Sequence, residues 1–224
     1  MSRLIVISNR VAQIEEGKST SGGLAVGVLD ALHESGGVWF GWNGEVLSRR
    51  PRRPTIQQID GLTYVTLGLS RDDFEHYYNG FSNRALWPLL HSRVDLMDFE
   101  RGDLAGYLRV NAYFATKLLP ILHDDDLVWV HDYHLIPMGE ELRRRGVTLR
   151  LGFFLHTPFP PFDVLNALPG HIDLLQSLCA YDLVGFQTAN DLAAFHDAIV
   201  RGAGGKVLPN GQILAFGRLS LIHI

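Results

Sequence analysis

The chain has 224 residues, 46% of them hydrophobic and 20% charged, with a formal net charge of −4. That length can bury one or two cores, while scattered basic residues on a slightly acidic chain exclude a general nucleic-acid surface. The single cysteine, Cys179, excludes an internal disulfide framework and suits a reducing compartment. Within LLQSLCAYDLVGF it is expected to be a buried structural thiol. The apolar stretch of MSRLIVISNR is about five residues long, where a secretory leader needs roughly 7–15. No run approaches the roughly 20 apolar residues that span a bilayer. A soluble cytoplasmic protein, with no membrane and no nucleic-acid partner, is expected.

LIVIS (4–8) reads as a buried parallel strand ended by Asn9 and Arg10. Ser21-Gly22-Gly23 opens the helical pattern LAVGVLDALHE, and VWFGW (38–42) and LTYVTLGL (62–69) are strand-like. Ser70 and Asp73 stand at capping-box spacing. Trp87 precedes Pro88, which predicts an extended or turn conformation there. Over 103–122, Leu104, Leu108, Ala115, Leu118, Leu119 and Leu122 recur at helical period and predict a long core-facing helix. LVWV (127–130) is another strand. It is followed by a helix whose Arg143, Arg144 and Arg145 form a solvated, dipole-complementing end before Gly146. LRLGFFLH (149–156) and LVGF (183–186) are strands, NDLAAFHDAIVRG is a helix, and Asn210-Gly211 predicts a type I′ hairpin. Alternating strands and helices indicate a doubly wound, mostly parallel Rossmann-like α/β sheet in one domain.

In such sheets ligands bind beyond the carboxyl ends of the strands. Arg10, Gly22-Gly23, His131-Asp132-His134 and His156 all fall there. The glycine pair before a helix either admits an anion or simply shapes a turn. GGLAVG lacks the dinucleotide fingerprint order, and GAGGKV (202–207) is too short for a Walker loop. A zinc centre needs three or four convergent ligands, but His131 and Asp132 are adjacent and no H-E-x-x-H or second cysteine completes a set. A metal is disfavoured; His131 reads equally as a packed histidine and Asp132 as a cap. Trp39, Trp42, Tyr77, Tyr78 and Trp87 form an aromatic-rich region suited to sugar faces, although such residues also build cores.

The ordered series SNR (8–10), SGGLAVG (21–27), WFGWNGE (39–45), YYNGFSNRALWPLLH (77–91), YLRVNAYFATKLLP, WVHDYHLIP, LGFFLHTPFP and DLVGFQTAND resembles the N-terminal half of the trehalose-6-phosphate synthase family, from residue 3 to about 218. The resemblance implies the N-terminal domain of a GT-B glycosyltransferase. It further implies retaining transfer of glucose from UDP-glucose to glucose 6-phosphate, giving trehalose 6-phosphate and UDP, with no metal or other cofactor. It assigns Arg10 and Tyr78 to the acceptor phosphate, Trp87 to the acceptor sugar, and Gly22 and Gly23 to the donor loop. Asp132 becomes the carboxylate that orients the acceptor and His156 the histidine near the donor glucose, both catalytic candidates. Trp42 and His134 join the substrate-binding set. Family members continue into a second Rossmann-like domain that supplies further cationic residues, and a homo-oligomer is expected of the full-length protein. Residues 219–224 (LSLIHI) depart from the expected continuation, so 1–218 is taken as the acceptor-side domain and the rest as an atypical tail. The chain alone is expected to have little or no synthase activity and to expose an apolar patch. The alternative is a non-catalytic sugar-phosphate-binding or assembly module with the same fold.

Overall fold

The computed structural model describes residues 3–11 and 23–223. Strand β1 (Leu4–Arg10), helix α1 (Gly23–Ser35), and strands β2 (Gly37–Leu47), β3 (Thr55–Ile59) and β4 (Leu62–Ser70) come first. Three contiguous coils follow: α2 (Arg71–Asp73), a π-helical stretch (Phe74–Leu86) and α3 (Trp87–Leu90). Then come α4 (Arg101–Leu118), β5 (Leu127–His131), α5 (Met138–Arg144), β6 (Arg150–Phe154), α6 (Phe162–Leu165), α7 (His171–Leu178), β7 (Leu183–Gly185) and α8 (Ala189–Ala203). Strands β8 (Lys206–Val207), β9 (Gln212–Ala215) and β10 (Arg218–His223) close the described chain.

Among the described residues ten strands form one sheet in the order β3-β4-β2-β1-β5-β6-β7-β10-β9-β8. It is parallel from β4 through to β10, and the antiparallel pairs are β3–β4, β9–β10 and β8–β9 at its two edges. From β1 the chain moves one way through α1 to β2, then crosses back through α4 to β5 and onward. Right-handed crossovers put helices of opposite directions on opposite faces. Accordingly Val28 and Leu32 of α1 pack with Leu4, Val6, Trp39, Leu62 and Tyr64 on one face. Ile5, Ile7, Val128, Val130, Phe153 and Val184 face the other, larger core, which holds Phe114, Leu142, Leu175 and Phe195 of the rightward helices. Each such fully buried side chain contributes roughly 1.5–3 kcal/mol.

The same rule leaves part of the α1 face bare. Over β5, β6, β7 and β10 no described helix covers the sheet, and a groove of about 500 Å³ lies there, lined by Leu127, Trp129, Phe154, Leu183 and Leu221. Leu183 and Leu221 are 40% and 42% exposed. The exposed apolar patch is therefore a sheet face, and it reaches Trp129 and Phe154, whose rings lie 4.3 Å from that of His131 and 4.7 Å from that of His156.

Several local expectations need correction. Leu108 is exposed; α4 buries Tyr107, Val110, Asn111, Phe114 and Leu118 instead, so the aromatic and small positions, more than the leucines, define its inner face. Trp87 is helical (φ −54°, ψ −53°) although it precedes Pro88. The wide coil before it makes this tolerable: the Trp87 N–H donates to Ser82, five residues back, so the chain enters α3 from a looser turn. Asn210-Gly211 does not form a type I′ turn, since only Gly211 has positive φ (79°). The Gly211 N–H donates to Leu208 O (3.0 Å), which closes a turn with Pro209 at its second position, and Gly211 completes a three-residue connection. The two-residue turns with both central φ positive are Asp60-Gly61 and Phe216-Gly217. Arg143 is not simply a solvated helix end: its Nη1 donates to Val147 O and Leu149 O and its Nη2 to Asp182, tying α5 to the start of β7. Of the segment 219–224 set apart as a tail, residues 219–223 lie with Arg218 in β10, which pairs in parallel with β7.

Candidate active site

β1 is flanked by β2 and β5, and the chain departs in opposite directions toward them, so the topological switch lies between β1 and β5. Ligands of open α/β sheets bind at the carboxyl ends of such strands. Arg10 ends β1 and His131-Asp132 ends β5. An extra residue bulges β1: Ser8 pairs with Gly41 but Arg10 with Trp42, so Asn9 is squeezed out of register and Arg10 is re-aimed. Asn9 Oδ1 accepts from the buried Tyr77 hydroxyl at 2.8 Å. The Arg10 guanidinium stands over the Trp42 ring (5.7 Å). Trp42 is itself buried, with its indole N–H donated to Glu45 O; it is the wall behind Arg10 and Tyr78 rather than an open platform.

From Trp42 an unbroken line of rings crosses the cleft floor. Trp42 meets Tyr78 (5.5 Å), Tyr78 stacks on His134 (5.8 Å, 13°), His134 meets Tyr133 (4.0 Å), and Tyr133 meets Trp87 (5.7 Å). Trp87 is 46% exposed. The π-helical stretch explains how one segment supplies both Tyr78 and Trp87. In an α-helix of about 3.6 residues per turn, positions nine apart fall on opposite faces. A coil with i→i+5 bonding has well over four residues per turn, so nine positions make about two full turns and share a face. The stretch is pinned where it starts and midway. Asp73, buried, accepts from Arg50, Arg109 and Ser70, and Asp103 accepts from Arg84 and lies against His76 and the open flank of Gly80.

Asp132 is the strained residue of the site. Its backbone sits at φ 74°, ψ 164°, a region essentially reserved for glycine, at a cost of about 1–3 kcal/mol. The turn takes it out of the strand. One carboxylate oxygen accepts from the Tyr133 N–H (3.0 Å) and the His156 N–H (3.3 Å), so Asp132 does act as a cap, on a 3-10 turn. Burial raises its carboxyl above the ordinary range, while those N–H bonds and the neighbouring His156 pull it back. Burial also lowers the His156 imidazole, and Gln187 Nε2 donates to the His156 carbonyl. His131 and His134 are both buried and are held down to about 3, so both are neutral at pH 7. Neither ring nitrogen of His134 has a partner among the described residues. Leaving buried polar atoms without partners costs free energy.

The structure therefore gathers Arg10, Trp42, Tyr78, Trp87, Asp132, His134 and His156 along one rim. Gly22 lies outside the described residues, and Gly23 is the first residue of α1. Sequence reasoning missed Asn9, Tyr133 and Gln187. Tyr133 stood inside HDYHL, between two residues already singled out, and was the one of these with a signal. Among the described residues no group of three or more His, Cys, Asp or Glu side chains converges as metal ligands would. No described helix is long and apolar enough to cross a membrane. Cys179 is buried, with its thiol pushed up to about 12 by desolvation, and is inert.

Gly44 provides a direct check on Arg10. It has φ 89°, and an added Cβ would lie 2.6 Å from Arg10 Nη2. Gly44→Ala is expected to dislodge the guanidinium and weaken anion binding about tenfold, roughly 1.4 kcal/mol, with a small loss of stability. Calorimetric titration with a sugar phosphate, alongside a urea melt, checks both; unchanged affinity would mean that Arg10 does not need this seat.

Comparison with known proteins gives a consistent result. The family model described as glycosyltransferase family 20 matches residues 3–221. The chain is 48% identical to trehalose-6-phosphate synthase of Cronobacter sakazakii over 218 residues, covering 97% of this chain and 46% of that one. Among solved structures, an α,α-trehalose-phosphate synthase (UDP-forming) from Burkholderia vietnamiensis superposes with a TM-score of 0.96 at 51% identity, covering 100% of this chain and 48% of that one. The Burkholderia xenovorans enzyme in complex with glucose-6-phosphate gives a TM-score of 0.93 at 52% identity, over 99% and 48% of the two chains. The chain thus spans about half the length of the relatives it matches.

Proposed function

We propose, because the chain belongs to glycosyltransferase family 20, that it is the acceptor-side half of a synthase transferring glucose from UDP-glucose to glucose 6-phosphate with retention. The observation that carries this reading is the placing of an exposed cation, Arg10, and a strained, half-buried carboxylate, Asp132, along one line of aromatic rings. Arg10 and the Tyr78 hydroxyl suit a phosphate, one by charge and one by directed donation. The ring faces suit a sugar's C–H surface. Asp132 accepts from a sugar hydroxyl and orients it, while the leaving diphosphate of the donor takes the proton. This is catalysis by positioning and charge, with no nucleophile on the enzyme. A buried thiol and a cytoplasmic setting go with the same reading.

The test is titration of the folded chain with glucose 6-phosphate. Saturable binding is expected, and Trp87→Ala is expected to weaken it about tenfold or more by removing the exposed ring. Asp132→Asn keeps the capping oxygen and is strained no more than aspartate at the same φ and ψ, so its urea midpoint is expected to stay put while affinity falls. A folded chain that binds no glucose 6-phosphate would overturn the reading in favour of an assembly role. A UDP-release assay on the chain alone should show little turnover, since the donor pocket needs the other half.

A further inference from the structure

His131 is not among the residues that the proposed chemistry uses, yet it is buried beside one that is. Its Nδ1 lies 2.8 Å from His156 Nε2. The ring centroids are 5.1 Å apart and the planes differ by 21°. That separation matches the nitrogen–nitrogen distance plus the two ring radii, so the imidazoles meet edge to edge, almost coplanar, as an N–H···N bond requires. One of the two nitrogens must carry the shared proton. His131 Nε2, on the far side of its ring, is buried and has no partner among the described residues. A proton placed there would be an orphaned donor, which proteins tolerate less well than an unfilled lone pair. The proton therefore belongs on His131 Nδ1.

We infer that His131 is a positioning residue: it donates Nδ1–H to His156 Nε2 and so fixes His156 as the tautomer protonated on Nδ1, a hydrogen-bond donor toward an oxygen of the bound sugar or phosphate. The Trp129 ring packs on that of His131, with centroids 4.3 Å apart. His156 is fixed at three points: its ring by His131, its N–H by Asp132, and its carbonyl by Gln187. The inference about what His156 then contacts rests on the proposed sugar-transfer reading; the tautomer itself does not.

The experiment is ¹⁵N-histidine NMR on the ligand-free chain near pH 7, reading which nitrogen of each ring bears the proton. In the wild type, His156 is expected to show a protonated Nδ1 and a hydrogen-bonded, proton-free Nε2, with His131 also protonated on Nδ1. In His131→Phe the His156 ring should shift toward the Nε2-protonated form that free histidine prefers. His131→Asn places an amide donor near the old Nδ1 position and should restore the wild-type tautomer, which a merely structural loss would not do. A wild-type His156 protonated on Nε2 overturns the proposal whether or not any variant folds, and so does an unchanged tautomer in His131→Phe. Because the spectrum is taken without ligand, failure to bind glucose 6-phosphate would count against the functional reading and leave this result standing. With glucose 6-phosphate added, the expected His156 pattern is unchanged.

Discussion

Urea melts at pH 7 and pH 5 are expected to differ by about 4 kcal/mol in unfolding free energy, with the pH 5 sample the weaker. His131 and His134 carry most of this. Both are buried, and both are held down to about 3 in the folded state, against roughly 6.5 for an unfolded histidine. Between those values the unfolded chain binds the proton and the folded chain does not. Stability therefore rises with pH through this window and is lost as pH falls below about 6.5, at about 1.4 kcal/mol per unit for each ring. His156 and His196 are also lowered and act in the same direction. Asp132 acts the other way, because burial makes its carboxyl hold a proton more readily folded than unfolded, and it trims the loss. His134→Phe, which keeps a ring against Tyr78 and Tyr133, should remove nearly half of the pH dependence. Equal midpoints and slopes at the two pH values would show that these histidines are not held neutral by the fold.

Arg10→Ala is expected to weaken glucose 6-phosphate binding about 100-fold, roughly 2.7 kcal/mol, the scale of a charge-assisted pair of hydrogen bonds. Stability should not move, because Arg10 is an exposed side chain whose contact is with one face of Trp42. Arg10→Lys should recover only part of the loss, since a point charge cannot grip two oxygens in one plane. Glucose itself supplies the control: its weaker binding should be the same in wild type and variant. An equal loss for glucose and glucose 6-phosphate would move Arg10 from the phosphate to the sugar.

The fold was legible where burial is two-sided. LIVIS is a continuous apolar run because β1, in the middle of the sheet, meets side chains above and below, whereas LVWV and LVGF carry the same apolar pattern although Leu127 and Leu183 line the bare groove. Asp60-Gly61 forms the two-residue hairpin turn that its dipeptide favours, whereas Asn210-Gly211, the same kind of signal, forms a different turn. Phe216 at φ 52° carries no local signal at all; the β9–β10 register imposes it. The π-helical stretch was illegible for a related reason. Nothing in FEHYYNGFSNRAL prefers a wide coil, and its anchors, Arg50, Arg109 and Asp103, come from distant segments. At the site, the residue types in HDYHL could be read, but not the positive φ of Asp132 or the ring-to-ring bond between His131 and His156. Both arise only when β5 and β6 lie side by side.

The β1–β5 seam also sets when the site can exist during synthesis. Leu4 pairs with Leu127 and Ile7 with Val130, so the strand ends that carry Arg10 and Asp132 come together only after more than half of the described chain has been made. His156 joins later still, through the β5–β6 pair. Contacts so distant along the chain form late and together, because each must first overcome the entropy of closing a long loop. A nascent chain ending before β6 has strands and helices but no cleft. Glucose 6-phosphate affinity, once measured, would then serve as a readout of sheet completion: a fragment or variant that fails to zip the central seam would lose binding outright, however much secondary structure it retains.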